Sequence, residues 1–200
     1  LNMTRVIATP AEEREAELDF ENESLAIKIL DGERRVSHIR RKIYNLYAKG
    51  TINDEQGIVD GLMDELAKIE TEMPLTLKGH FKILNTKAIV FDGQSRHEES
   101  LQVYQNLLGI WDDNKDKIGE AKSVILTLLS NYLACLHRLG RYSDFPSIIK
   151  RIETLGFDNE LDKLKVALQV ANYKLLYALN STDVAFNPGL LAEIDRCTTN

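Results

Sequence analysis

Apolar residues recur at intervals of three and four positions along most of this chain, which is the spacing of amphipathic α-helices. The long segments between the four prolines contain no alternating β-branched runs of the kind that form strands. The pattern therefore predicts an all-α fold, in which short loops make consecutive helices pack antiparallel. The predicted helices span residues 10–30, 34–49, 53–72, 78–92, 97–111, 118–139, 144–155, 159–179 and 188–197.

Several residues between these segments have the chemistry that ends or starts a helix. Gly50 and Gly140 each follow a predicted helix, as glycines at helix C-termini do. Residues 53–55 and 143–144 offer Asn, Asp and Ser side chains, so we expect them to supply N-terminal caps. Pro146 fits within a first helical turn, where its missing N–H costs little.

The apolar pattern also recurs at a longer period of 45 residues. Three alternate helices are apolar at the same three places: Ile39, Ile43 and Leu46, then Leu84, Ala88 and Phe91, then Leu129, Leu133 and Leu136. The helices that follow them match at Val59 and Leu62, at Tyr104 and Leu107, and at Ile149 and Ile152. A last pair continues with a step nearer 41. Two apolar stripes are possible for its first helix, one at residues 164, 168, 171 and 175 and the other at residues 166, 170, 173 and 177. This recurrence indicates a stack of helix pairs.

The third pair, with its Gly140-Arg141-Tyr142 turn after Leu129, Tyr132, Leu133 and Leu136, resembles a tetratricopeptide (TPR) repeat. The second pair is similar and has Ser100 at the small site of its second helix, whereas the third pair has Phe145 at that site. The resemblance covers residues 34–197 and implies a right-handed α-solenoid of about four antiparallel helix pairs with a concave face. Residues 1–33 would then be an acidic N-terminal segment or a capping helix.

The resemblance also implies a groove, because the first helix of each pair lines the concave face in that family. Asparagine's paired donor and acceptor suit a peptide group, and arginine offers a fork to a carboxylate. The sequence has no complete clamp for a C-terminal carboxylate, so the resemblance implies a groove and nothing finer. The exposed positions of these helices would include Arg40, Tyr44 and Tyr47, then Lys82 and Asn85, then Asn131, His137 and Arg138.

The net charge of −6, from 25 Lys and Arg against 31 Asp and Glu, is distributed unevenly. Residues 11–23 contain seven acids and one base, and residues 24–49 contain seven bases and two acids. Because the domain is not strongly basic, general nucleic-acid binding is excluded as a first expectation. The acidic segment either caps the first repeat, with its acids facing the neighbouring arginines, or stays mobile and competes with an acidic ligand.

The helix predicted at 34–49 carries six bases and no acid. Its buried stripe is apolar, so the bases belong to the exposed flanks: Arg34, Arg35, Arg40, Arg41, Lys42 and Lys49. Three interpretations stay open, namely a solvated face, a site for an anion or acidic peptide, and a contact with DNA. The DNA interpretation lacks a recognisable turn and recognition helix.

Catalytic and metal-binding motifs are incomplete. The segment that begins at His97 starts like a zinc-protease helix, but Leu101 occupies the place of the second histidine ligand. Residues 147–150 spell S-x-x-K without the companion motifs of that enzyme class. We therefore expect no catalytic residue, no metal and no cofactor.

Other notable residues are expected to be structural. Cys135 and Trp111 are predicted to be buried in the core, and Gly57 and Gly61 to allow close helix packing. The two cysteines are too few for a disulfide scaffold, and no apolar run is long enough to cross a bilayer. We expect a cytoplasmic protein.

The leading hypothesis is a non-enzymatic TPR-like scaffold or adaptor that binds a protein or peptide, acidic ones included, within a longer, bacterial regulatory protein. No direct contact with nucleic acid or membrane is expected. The alternative is a sensor or regulatory segment of a bacterial transcription regulator or signalling kinase whose effector domain lies outside this chain. The last predicted helix has an apolar edge at Leu190, Leu191 and Ile194, which would suit a partner or self-association.

Overall fold

A computed structural model describes residues 10–115 and 119–180, with side chains for residues 21–115, 119 and 121–180. The described residues form helices and no strand, which confirms the all-α class. The helices are α1 (Pro10–Lys49), α2 (Gln56–Glu72), α3 (Leu77–Gly93), α4 (His97–Asp113), α5 (Lys122–Arg138), α6 (Phe145–Thr154) and α7 (Glu160–Asn180). The helix predicted at 188–197 lies outside the described residues.

Helix α1 differs most from its prediction, because it runs without a break through the turn expected at residues 31–33. Gly32 explains the difference: a Cβ there would lie 2.9 Å from Leu75 Cδ2 and 3.4 Å from the Pro74 carbonyl oxygen. The glycine lets α1 approach the loop between α2 and α3 closely while it stays helical. The proposed boundary between residues 33 and 34 therefore falls inside a continuous helix.

The predicted C-terminal glycines are confirmed, since Gly50 and Gly140 have φ of 71° and 68°. Glu55 and Asp144 occupy the N-cap positions of α2 and α6, as predicted, but neither side chain makes a capping hydrogen bond. Thr76 instead caps α3, accepting a hydrogen bond from the Gly79 N–H at 3.1 Å. Pro146 lies in the first turn of α6, as expected.

The apolar positions of the 45-residue pattern form the interior. Leu46 and Phe91 are half-buried, and the remaining positions named for the three helix pairs are buried. The buried residues divide into one cluster across α1–α3 and a larger one across α3–α7, so α3 contributes to both. Burial of this apolar surface is the main force that holds the helices together.

Helices α1, α3 and α5 also contact one another in that order, and α7 contacts α5. Side chains on neighbouring members of this series join residues 45 or 46 positions apart, as Tyr47 does with Asp92 and Asn85 with Asn131. The recurrence read from the sequence therefore corresponds to neighbouring positions on adjacent helices. We call α1, α3, α5 and α7 the first helices, and α2, α4 and α6 the second helices.

Two expectations about single residues are confirmed and one is wrong. Trp111 and Cys135 are buried. Gly57 and Gly61 are exposed, and a Cβ at either would meet no atom within 4 Å, so they mediate no close helix packing. They lie on the side of α2 that faces away from its buried residues Val59 and Leu62.

The small site of the repeat is filled differently in the two pairs. Ser100 is buried, and its hydroxyl donates to the Ala88 carbonyl oxygen at 3.0 Å, which joins α4 to α3. Phe145 is fully buried at the start of α6, with its ring centroid 6.4 Å from that of Tyr173 and 6.3 Å from that of Tyr177. The contact of Tyr173 and Tyr177 with the core also decides the register of α7 in favour of residues 166, 170, 173 and 177.

Candidate functional site

The first helices bring most of the predicted groove residues together through hydrogen bonds. Helix α1 supplies Arg40, Tyr44 and Tyr47, α3 supplies Lys82 and Asn85, and α5 supplies Asn131, His137 and Arg138. Their exposure is unequal, and it decides which of them a ligand can reach. His137 and Arg138 are exposed, Asn85 is buried, and the others are intermediate.

A chain of amide contacts crosses the middle of these helices. Asn85 Nδ2 donates to the Tyr44 hydroxyl at 2.7 Å, and Asn131 Nδ2 donates to Asn85 Oδ1 at 2.9 Å. The Arg40 guanidinium lies 4.9 Å from the centroid of the Tyr44 ring, at the α1 end of the chain. The expectation that Asn85 is exposed is therefore wrong: its amide links α1 to α5 inside the protein, where an unpaired polar group would be costly.

Lys82 is occupied by an internal ion pair. Its ammonium group donates to Glu33 Oε2 at 3.1 Å and to the Ser37 hydroxyl at 3.3 Å, and its side chain is only 14% exposed. Glu33 also accepts a hydrogen bond from Thr76, the residue that caps α3. Lys82 therefore holds α1 against α3 and has little charge to offer a ligand.

The C-terminal ends of α1, α3 and α5 meet at Asp92, whose side chain is 8% exposed. Its carboxylate accepts from the Tyr47 hydroxyl at 2.9 Å and from Arg138, and it lies 2.9 Å from His97 Nδ1. Arg138 also donates to the Tyr47 hydroxyl at 3.1 Å. Sequence reasoning missed Asp92 and His97, although Asp92 follows Tyr47 by 45 residues and precedes Arg138 by 46.

The electrostatics of this cluster favour the charged form of Arg138 and the neutral form of Tyr47. Burial raises the pKa of the Tyr47 hydroxyl, and the hydrogen bond to Asp92 and its negative charge raise it further. Burial alone would lower the pKa of the Arg138 guanidinium, but the charge of Asp92 and the contacts with Tyr47 outweigh it and raise that pKa. The Arg138 side chain is 40% exposed, beside a cavity of about 310 Å³. It can therefore pair with Asp92 and still meet an incoming carboxylate or carbonyl.

A second, wider cleft of about 420 Å³ separates α5 from α7 on the same series of helices. Its polar lining includes Thr127 and Asn131 from α5 and Lys165, Gln169 and Asn172 from α7. Neither Gln169 nor Asn172 has a side-chain hydrogen bond with any described residue. Leu126 and Leu168 add apolar surface, and Tyr173 ties α7 to α5 by donating to the Ser130 carbonyl oxygen at 2.8 Å.

The α7 side of this cleft was missed by sequence reasoning because the register of α7 was open. Once residues 166, 170, 173 and 177 turn toward the core, Gln169 and Asn172 lie beside that stripe and face α5. Of the predicted groove residues, Asn131 is the one that lines this cleft.

The second helices carry a cavity of different character, about 470 Å³ in volume, between α4 and α6. Arg151 makes two hydrogen bonds of 2.9 Å to the Asp112 carboxylate and lies 5.4 Å from the centroid of the Trp111 ring. The hydrogen bonds from Arg151 are the main reason that the pKa of Asp112 is lowered to about 2. The charged groups beside this cavity, Arg151 and Asp112, are therefore already paired with each other.

The bases of α1 do not form one patch. Arg34, Arg41, Lys42 and Lys49 are exposed, whereas Arg35 donates to Glu65 at 3.2 Å and Arg40 packs on Tyr44. The nearest acid of the 11–23 segment, Glu23, is eleven positions from Arg34 on the same helix, about 16 Å along its axis. Neither of the acids of that segment whose side chains the structure describes, Glu21 and Glu23, contacts the neighbouring arginines within one chain.

Among the residues that the structure describes, there is no group of three or more His, Cys, Asp or Glu side chains that could hold a metal ion. None of the described helices is long and apolar enough to cross a membrane. No protein-family model, curated protein or solved structure matches this chain, so its function has to be inferred from its own residues and their geometry.

Proposed function

We propose that this chain is a non-enzymatic module that binds a protein or an extended peptide along its first helices. The helix pairs would stack as a right-handed TPR-like solenoid, with α1, α3, α5 and α7 on its concave side. The observation that carries this proposal is the cleft between α5 and α7, where the amides of Gln169 and Asn172, which have no side-chain hydrogen bond with any described residue, lie beside apolar surface.

The lining of this cleft suits a peptide backbone. Gln169, Asn172 and Asn131 each carry an acceptor oxygen and a donor NH2 group, which together match the C=O and N–H of a peptide unit. Leu126 and Leu168 would take an apolar side chain of the ligand. The Lys165 ammonium lies 3.2 Å from Asp162, but its side chain is 60% exposed, so it would still meet a carboxylate as a point charge. A backbone read by amides with a few pockets beside it is a common mode of peptide recognition.

The ligand would reach only part of the groove that the sequence suggests. Asn85 and Lys82 make their hydrogen bonds inside the protein, so their role would be to fix the neighbouring helices. Asn131 and Arg138 lie on the same helix about 10 Å apart along its axis, and both remain accessible. The exposed Arg138 and Lys165 would favour an acidic ligand.

The experiment that tests this proposal selects binders from a random peptide library displayed on phage and measures their affinity by isothermal titration calorimetry. Gln169→Ala with Asn172→Ala is expected to weaken binding about tenfold, since two amide contacts of about 0.5–1.5 kcal/mol each are lost. The matched control is Gln102→Ala with Asn106→Ala, two exposed residues of α4. A failure to select any peptide, or an equal loss in the control, would sink the proposal.

A further inference from the structure

The first part of α1 extends beyond the rest of the described structure. At Gly32, α1 packs against the loop between α2 and α3, beside Met73, Pro74 and Leu75. Residues 10–31 precede that contact and span about 33 Å of helix. In proteins most of the stability of a helix comes from the packing of one of its faces.

This segment exposes large apolar side chains. Leu25 is 48% exposed, Ile27 62% and Leu30 61%. Ile27 and Leu30 share a face with Arg34 and Arg41, because these residues follow one another at intervals of three, four and seven along the helix. That face is opposite to the stripe of Val36, Ile39 and Ile43, which is buried against the protein's own core. Ile27 and Leu30 therefore do not extend the core; they form a separate apolar pair on an exposed face.

The charges on either side of this apolar pair are opposite in sign. Residues 15–23 contain five acids and no base, namely Glu15, Glu17, Asp19, Glu21 and Glu23. Residues 34–42 contain no acid, and three of their five bases, Arg34, Arg41 and Lys42, are exposed, whereas Arg35 donates to Glu65 and Arg40 packs on Tyr44. Within one copy these two segments lie end to end on the same helix, so they cannot pair with each other.

We propose that two copies of this chain associate through α1, with the two helices antiparallel and Ile27 of each copy packed on Leu30 of the other. This register places position 23 opposite position 34 and position 15 opposite position 42. The acidic segment 15–23 of each copy then lies along the basic segment 34–42 of the second copy, at both ends of the apolar centre. The contact is the same on both copies, as two-fold symmetry requires.

Charge decides the orientation and the kind of partner. A parallel pair would place acids beside acids and bases beside bases, which costs free energy at every such contact. In the antiparallel pair, Glu23 and Arg34, both exposed in the single copy, meet twice. A second copy of this chain fits this pattern. Its basic part, after Leu30, is complementary in charge to the acidic part before Ile27 of the first copy, and its acidic part is complementary to the basic part of the first copy.

The first test measures mass by sedimentation equilibrium. The 200-residue chain has a monomer mass of 22.7 kDa, and we expect twice that value at about 100 µM, where even a micromolar dimer is populated. Ile27→Glu with Leu30→Glu is expected to return the mass to the monomer value. Ile58→Glu is the matched control, because Ile58 is 55% exposed on α2, and it should leave the dimer intact. Circular dichroism of each variant verifies that the helices are retained.

The second test is a charge exchange that separates the two orientations. In the antiparallel register, Arg34→Glu alone and Glu23→Arg alone each create two like-charge contacts and should raise the dimer dissociation constant about tenfold or more. The double variant Glu23→Arg with Arg34→Glu restores both contacts and should return the dissociation constant to near its original value.

Three outcomes would overturn the proposal. The first is a monomer at every concentration tested, which would mean that another part of the chain or another protein covers Ile27 and Leu30. The second is a dimer that Ile58→Glu disrupts as much as the pair at Ile27 and Leu30. The third is a dimer in which the double variant is as weak as the single ones, since that would exclude this antiparallel register.

Discussion

The contact between α1 and α3 and the contact between α5 and α7 join equivalent helices of the series by different means. Side-chain hydrogen bonds close the first, through Lys82 to Glu33, Asn85 to Tyr44, and Tyr47 to Asp92. At the second, Tyr173 donates to a backbone oxygen of α5, and a cleft of about 420 Å³ remains open. The aromatic contacts of Phe145 with Tyr173 and Tyr177 support α7 from the side of α6.

The difference separates two roles for the same residue types. Where Asn and Lys side chains find partners inside the protein, as Asn85 and Lys82 do, they fix the spacing of neighbouring helices. Where amides face an open cleft, as Gln169 and Asn172 do, they remain free to meet a ligand. A polar side chain on one of the first helices is therefore not by itself a sign of binding.

The aromatic support of α7 should be the contact that is most costly to lose. Phe145→Ala removes a fully buried ring and is expected to lower the free energy of unfolding by about 3–5 kcal/mol. Urea unfolding followed by circular dichroism measures this value. Phe91→Ala is the control, because Phe91 is half-buried and should cost less. Equal losses for the two variants would mean that α7 does not depend on the buried aromatic group.

The amides on the two sides should respond differently to truncation. Asn85→Ala leaves Tyr44 and Asn131 without their shared partner and is expected to cost about 1–3 kcal/mol of stability. Asn172→Ala removes an exposed amide and should change stability by no more than about 0.5 kcal/mol. The same urea experiment measures both variants. If Asn172→Ala proved as destabilising as Asn85→Ala, the distinction between the hydrogen-bonded α1–α3 contact and the open cleft between α5 and α7 would fail.

Glycine-to-alanine changes should have opposite signs at the α1–α3 contact and on the outer surface. Gly61→Ala meets no atom within 4 Å and is expected to stabilise the protein by about 0.5–1 kcal/mol, because alanine favours the helix. Gly93→Ala would place its Cβ 2.6 Å from Ile52 Cδ1 and 3.1 Å from Tyr47 Cδ2, so it should destabilise. Thermal melts of the two variants give the signs, and a stabilising Gly93→Ala would contradict the close approach at that site.

Alkaline pH should have the smallest effect, and it should act on the central and C-terminal helices. Burial raises the pKa of Tyr104 well above 10, and burial also raises the pKa of Tyr132 and Tyr173. A raised tyrosine pKa gives stability that is fully present below the unfolded pKa of about 10 and is lost as pH rises through the folded value. At pH 10 the loss should be about 0.4 kcal/mol for Tyr104, which stays neutral in the folded protein while half of the unfolded chains have lost that proton.

Urea midpoints between neutral pH and about pH 10.5 measure this loss. Tyr104→Phe should reduce the decline, because phenylalanine cannot ionise in the unfolded chain. An identical decline in the variant and the original protein would show that Tyr104 contributes nothing to it.

The sequence by itself determined the helices and the positions that form the core. Spacings of three and four residues identify an amphipathic helix whatever packs against it, since one face must leave water. Gly50 and Gly140 end their helices through a positive φ that is local to each turn. The 45-residue recurrence placed Ile39, Leu84 and Leu129 in the interior, where they are found.

Only the tertiary structure decided which polar residues are structural. Whether the Asn85 amide faces water or Asn131 depends on which helix packs beside it. The pattern of apolar residues along the sequence does not show which helices are neighbours. The close approach of Leu75 to Gly32, from the loop between α2 and α3, is likewise a contact between residues far apart in the sequence. Local spacing determines what each helix buries, but the partners of its polar side chains are set by contacts between residues that are far apart in the sequence.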